Sequence, residues 1–315
     1  MTVLIWSVIF VASLAVLVWA SSLVVAASER IGLSLGMSPF IVGAVIVGIG
    51  TSFPELVSSI YAALNGTTEI VVGNVLGSNI TNILLVLGVA GVITGECIID
   101  HDVLRIDLPI VLASSLILGF MIYDGNFGRI DALICLAGCA IYIMSTFSPE
   151  HRAAEGSLAE PVPSEGSAGS AAWFRLFAGL GLIVVGAKYT VDAVVLLAGV
   201  FGIGTEIIAL SAVALGTSLP EVAVSLTAAR LGKPEMAVGN IMGSNVFNSF
   251  AVMGIPGLLT PLKIPDAIIT FALPLSIAVT LLYIIITVDG KINRWEGWLL
   301  LLFYAFFIGH LYGVT

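Results

Sequence analysis

Charge is scarce in this chain. Of its 315 residues only 10% are Asp, Glu, Lys or Arg, and His and Cys number 3 each. Soluble domains carry about 25% charged residues, whereas here 59% are hydrophobic and the mean hydropathy is +1.14. No water-soluble globule of this size hides so much apolar surface, and the chain reads as an integral membrane protein. The few basic residues form no run and the formal net charge is −9, which excludes a nucleic-acid partner. Cys97, Cys135 and Cys139 make neither a CxxC pair nor a disulfide framework. Cys135 and Cys139, one helical turn apart in an apolar run, read as small core thiols. His101, His151 and His310 fall in loops or at the last helix end and read as solvated. HExxH and GxSxG are missing, so an intramembrane enzyme is not indicated. The ten-residue alternation of a β-barrel is missing as well.

What is present is a series of long uncharged stretches: Met1–Ser28, Ile31–Pro54, Ile70–Gly95, Met236–Leu262 and Ala267–Val288. A helix crosses the hydrocarbon core with about 20 apolar residues. The first stretch has no basic residue ahead of it and is too long for a secretory signal, so it reads as a spanning helix. Ten spans are expected, near 3–27, 38–64, 70–94, 104–123, 129–147, 173–199, 204–229, 235–261, 265–288 and 295–313. Between the fifth and sixth, Ser148–Ala171 is rich in Ala, Gly, Ser, Pro and Glu and cannot build a core; it reads as a flexible linker. The expected organisation is therefore five helices in 1–147, the linker 148–171, and five helices in 172–315.

The halves are related. Residues 41–88 align with 207–254 at a constant offset of 166, without a gap and with 21 identities in 48 positions. Matched Leu or Val would mean little in a greasy chain. The matches concentrate instead in polar and small residues: GTSFPE (50–55) against GTSLPE (216–221), and GNVLGSNITN (73–82) against GNIMGSNVFN (239–248). Ten spans place Arg129 and Lys263 on one side. Arg30, Arg105, Arg152, Arg175, Arg230, Lys233, Lys291 and Arg294 fall on the other. The excess of basic residues marks the cytoplasmic side, so the N- and C-termini face outward and the linker is cytoplasmic. Lys188 falls inside the sixth span, placed either to snorkel or to pair with Asp192. An odd number of helices per half inverts the second half in the membrane, the architecture of many secondary transporters.

Glu55 and Glu221 are the sharpest chemical signal. Each ends an uncharged stretch well inside a span, where an ionisable residue is costly and faces a cavity or pathway. Pro54 and Pro220 precede them. Each removes an N–H donor and frees backbone carbonyls, near Gly48–Ser52 and Ala214–Ser218, which survive at that depth only when buried in protein or lining a cavity. Ser78 shares a helix face with Asn82, and Ser244 with Asn248, both facing the broken helices. Asn74, Asn79, Asn240 and Asn245 read as interhelical hydrogen-bonders. Gly73, Gly77, Gly239 and Gly243 read as sites of close helix approach. Carboxylate, hydroxyl, amide and carbonyl oxygens suit a hard cation such as Ca²⁺, and the lack of Cys or His nearby disfavours a transition metal. Two carboxylates balance one Ca²⁺, or two monovalent ions or protons.

The paired GTSxPE and GNxxGSNxxN segments resemble the α-repeats of the cation/Ca²⁺ exchanger superfamily, most closely its prokaryotic sodium/calcium exchanger branch. The resemblance implies an all-α membrane protein of ten helices in two inverted five-helix repeats, exchanging Ca²⁺ for Na⁺ and normally extruding Ca²⁺. It implies that Glu55 and Glu221 are shared Ca²⁺ and Na⁺ ligands. Thr51 and Thr217 would offer carbonyls, and Ser52 and Ser218 side-chain oxygens. Gly48 and Ala214 would line an outer Na⁺ site, and Ser78, Ser244, Asn82 and Asn248 would complete the ring. Several sodium/calcium exchangers have Asp at the position of Asn248. The proton/calcium branch typically carries GNxxE in the first motif, so GTSxPE favours sodium coupling; proton coupling is the alternative, and a channel a distant one. No cofactor and no obligatory protein partner is called for; the partners are the ions and the lipid bilayer.

Overall fold

The computed structural model describes residues 2–98, 101–148, 169–200 and 205–311. It is an all-helical bundle apart from two short strand pairs. The ten spans are α1 (Thr2–Leu35), α2 (Pro39–Leu64), α3 (Glu69–Thr94), α4 (His101–Ile122), α5 (Arg129–Thr146), α6 (Gly169–Val200), α7 (Thr205–Arg230), α8 (234–259), α9 (Ile268–Thr287) and α10 (Arg294–Leu311). Most of the expected linker lies outside the described residues, but α6 begins at Gly169, inside its expected end. The first span also differs from expectation. It runs on to Leu35, so Glu29 and Arg30 stay helical beyond the apolar stretch, and the Lys233 side chain pairs there with Glu29.

Apolarity all round a helix lets it cross lipid; it does not say which helix is central. Packing does. Among the most apolar windows, 61% of α2 and 72% of α3 is buried in the bundle, against 17% of α1. α1 instead packs along α6, where glycine lets the backbones approach: a Cβ on Gly186 would lie 3.3 Å from the Ser13 carbonyl. The Thr190 hydroxyl donates to Ser13 Oγ at 2.9 Å across the same seam.

The ends of the bundle are tied by two antiparallel pairs. β1 (Glu96–Ile98) joins β4 (Lys291–Asn293), and β2 (Asn126–Phe127) joins β3 (Leu262–Lys263). These link the α3–α4 turn to the α9–α10 turn at one end, and the α4–α5 turn to the α8–α9 turn at the other. The repeat is visible in the caps. α2 and α7 both end in a glycine with left-handed backbone, Gly66 (φ 78) and Gly232 (φ 75), where other residues are strained. The following amides bond back alike, Thr67 N–H to Ala62 O and Lys233 N–H to Ala228 O. Cys135 and Cys139 are buried free thiols, as expected. His310 is exposed and stacks on Phe271, and Lys188 lies 5.8 Å from the Tyr189 ring centroid. His151 and the His101 side chain lie outside the described residues.

Candidate functional site

α2 and α8 meet backbone to backbone. A Cβ on Gly43 would fall 2.2 Å from the Met236 carbonyl oxygen, one on Gly239 2.1 Å from that of Phe40, and one on Gly243 1.9 Å from that of Ala44. Only hydrogen fits at these points. The close approach expected of Gly239 and Gly243 is thus present, while Gly73 and Gly77 meet no atom among the described residues. This contact brings the GTSFPE segment beside GSNVFN. The Ser244 hydroxyl donates to Gly48 O across it, at 3.2 Å.

The two proline motifs fold differently. α2 is π-helical over Val42–Val47, resumes over Gly48–Thr51 and breaks at Ser52, whose φ of −81° and ψ of 2° are not helical. α7 keeps helical backbone through Pro220. Proline deletes one donor whether or not the dihedrals change, so Gly50 and Gly216 both lose the usual i+4 partner. α3 and α8 also depart from α-helix, and they do so in step. π-helical turns occupy Asn82–Leu87 and Asn248–Val252, both starting at the repeat-matched asparagine. Each inserts a residue into the turn and re-aims the side chains that follow.

Glu55 and Glu221 are fully buried. Ser52 Oγ donates to Glu221 Oε1 at 3.1 Å, joining the two repeats, whereas Glu221 Oε2 and both Glu55 carboxylate oxygens have no hydrogen-bond partner among the described residues. The Ser78 and Ser218 hydroxyls are buried without partners too, as are Asn82 Oδ1 and Asn248 Oδ1. A lost hydrogen bond on a buried neutral group costs about 1–3 kcal/mol, and a bare buried charge costs more. Seven such oxygens lie on six side chains.

The asparagines explain how they are held. Asn82 Nδ2 donates to Asn245 Oδ1 at 3.0 Å, and Asn248 Nδ2 to Asn79 Oδ1 at 3.2 Å. With each amide nitrogen committed, each amide oxygen is left free. Asn79 and Asn245 are locked in turn, each donating to the other's backbone carbonyl at 3.3 Å, and Asn79 also donates to Ser249. A second matched pair flanks them. Thr51 Oγ1 donates to Asn240 Oδ1 at 3.1 Å and Thr217 Oγ1 to Asn74 Oδ1 at 3.3 Å. Asn240 and Asn74 in turn donate to Ser225 and Ser59. Ser59 and Ser225 escaped sequence reasoning although they are identical in the repeat alignment; Ser249 carried no such signal. Ala214 lies in α7, with its side chain outside the described residues. Among the described residues no group of three or more His, Cys, Asp and Glu gathers, so acidity here is confined to the two glutamates.

The chain matches the family described as sodium/calcium exchanger protein over residues 5–148 and 171–313. It is 31% identical to the sodium/calcium exchanger MaX1 of Methanosarcina acetivorans, covering 95% of this chain and 96% of that one. It is 34% identical to the inner membrane protein YrbG of Escherichia coli, over 80% and 79% of the two chains. A solved structure of the sodium-calcium exchanger NCX_Mj, soaked with Na⁺ and Sr²⁺, superposes with a TM-score of 0.83 at 30% identity, covering 98% of each chain.

Proposed function

Since the chain belongs to the sodium/calcium exchanger family, we propose that it exchanges Ca²⁺ for Na⁺ across the membrane at the site between the repeats. The observation that carries this reading is the set of buried, unpartnered oxygens on Glu55, Glu221, Ser78, Ser218, Asn82 and Asn248. Two carboxylates match the charge of one Ca²⁺ and bind monovalent cations in its place, which makes the ions competitors. Ser52, Ser244, Thr51, Thr217, Gly48 and Ala214 complete the proposed lining. Because position 248 is an amide tied to Asn79, the site carries no third carboxylate.

The N- and C-termini face outward and the linker faces the cytoplasm in this reading, from the two-against-eight division of basic residues. An inward Na⁺ gradient then drives Ca²⁺ out. Access alternates by motion of α1 with α6 against the other eight helices. The close α1–α6 packing and the strand pairs that tie α3, α4, α5, α8, α9 and α10 support that division.

The test is ⁴⁵Ca²⁺ flux in proteoliposomes with Na⁺, K⁺ and H⁺ gradients imposed one at a time. Na⁺ alone is expected to drive accumulation. Comparable Ca²⁺ movement with a pH gradient and no Na⁺ would overturn sodium coupling, and flux without any counter-ion would point to a channel. A second result follows from the hydrogen bond that Ser52 donates to Glu221: Ser52→Ala raises the Ca²⁺ KM about tenfold, since a hydrogen bond to a charged group contributes about 1.5–3 kcal/mol. The concentration dependence of uptake reads this directly, and an unchanged KM excludes Ser52 from the site.

A further inference from the structure

A hydroxyl inside a membrane helix with no other task bonds back to a carbonyl one turn earlier. This bundle follows that rule: Thr94 bonds to Ala90 O, Thr146 to Tyr142 O, Thr280 to Ser276 O and Thr287 to Tyr283 O, all at 2.8–2.9 Å. Among the described Ser and Thr residues, four buried hydroxyls have no partner at all: Ser28, Ser78, Thr81 and Ser218. Ser78 and Ser218 belong to the site. Thr81 is 0% exposed, lies in α3 between Ser78 and Asn82, and has no role assigned above.

Its register gives it one. Thr81 follows Ser78 by three residues and Asn74 by seven, so all three lie on one stripe of α3. That stripe is the one directed at α2 and α7, because Asn74 bonds to Ser59 on α2 and to Thr217 on α7. At 1.5 Å per residue, Thr81 lies about 4.5 Å beyond Ser78 toward the Gly95 end of α3, which is the linker side. The repeat offers no equivalent. The position matching Thr81 is Phe247, which follows Ser244 in α8 toward the opposite side and has no oxygen to offer.

We propose that Thr81 Oγ1 is a further contact for the transported cation, on the linker side of the site, so that the two approaches to one symmetric site are chemically unequal. This rests on the ion-site reading above. A cation arriving from the linker side meets a buried, unengaged hydroxyl at the level of Asn82, before it reaches Ser78; one arriving from the other side meets a phenyl ring.

The experiment measures the Ca²⁺ KM of exchange separately from each face, in right-side-out and inside-out vesicles, for wild type, Thr81→Val and Thr81→Ser. Valine keeps the shape and removes the oxygen; serine keeps the oxygen. Thr81→Val is expected to raise the KM about 5- to 10-fold from the linker side, the range for losing one neutral contact. From the opposite face the KM stays put, and Thr81→Ser restores it. An unchanged linker-side KM overturns the proposal, as does an equal rise from both faces, which marks a packing defect. Should Thr81→Val fail to assemble, Thr81→Ala is read by the same criteria. Glu55→Gln is run alongside: its loss of transport leaves Thr81 to be judged alone, whereas transport retained by Glu55→Gln brings down the site reading itself.

Discussion

Glu55→Gln and Glu221→Gln each abolish Na⁺-driven ⁴⁵Ca²⁺ uptake in vesicles, a loss expected at 100-fold or more. The substitutions change almost no volume, so their effect is one of charge. Both carboxylates are enclosed, and three of their four oxygens have no partner among the described residues. A divalent cation entering such an enclosure gives up its hydration, and only formal negative charge at short range offsets that cost. Removing one carboxylate halves the compensating charge and places an amide N–H₂ where a ligand oxygen stood. The glutamines also retain the fold, because the Ser52 hydroxyl still has an amide oxygen to donate to. The variants should therefore express and melt near wild type while failing to transport. Near-normal transport by either one removes that glutamate from the ion site.

Gly243→Ala has the opposite character: it destroys the assembly first and transport as a consequence. Its Cβ falls 1.9 Å from the Ala44 carbonyl oxygen, with the Ala44 carbonyl carbon at 2.5 Å, and backbone cannot rotate aside. α2 and α8 must separate, and with them the Ser244–Gly48 hydrogen bond and the register of the two motif segments. Overpacking of this kind costs about 1–3 kcal/mol or more. A lowered melting temperature in detergent and poor recovery are expected, with little exchange from what folds. Gly181→Ala is the control, since a Cβ there meets no atom among the described residues, and it should behave as wild type. Equal melting of the two variants would mean that α2 and α8 do not touch as described.

Much of the candidate site is legible in the sequence. Glu55 and Glu221 stood out because charge is so rare in the chain, and the polar identities at an offset of 166 named the hydroxyls and amides around them. Helical spacing also separated the asparagines expected to bond between helices from those proposed to face the ion. What spacing could not supply was the hydrogen-bond partner of each group. Ser52 and Ser218 are the same residue in the same motif, yet Ser52 is engaged by Glu221 and Ser218 is free, because α2 breaks at Ser52 and α7 keeps helical backbone through Ser218. Ser78 and Ser244 divide in the same way, Ser244 being held by Gly48 O. The repeat is symmetric in sequence and asymmetric in engagement.

The sequence by itself determined the solvent this protein lives in, the number of crossings, the duplication and the two buried acids, because each follows from composition or from local spacing. Tertiary structure decided which oxygens are left to bind. The reason is that a hydrogen bond such as Asn248 to Asn79, or a π-helical turn opening at both Asn82 and Asn248, is set by contact between segments some 166 residues apart. A π turn is unfavourable on its own and persists only where packing against a neighbouring helix offsets it. Local pattern carries no record of that neighbour. Residues with the same name, such as Ser52 and Ser218, thus acquire different tasks only when the two repeats close on each other.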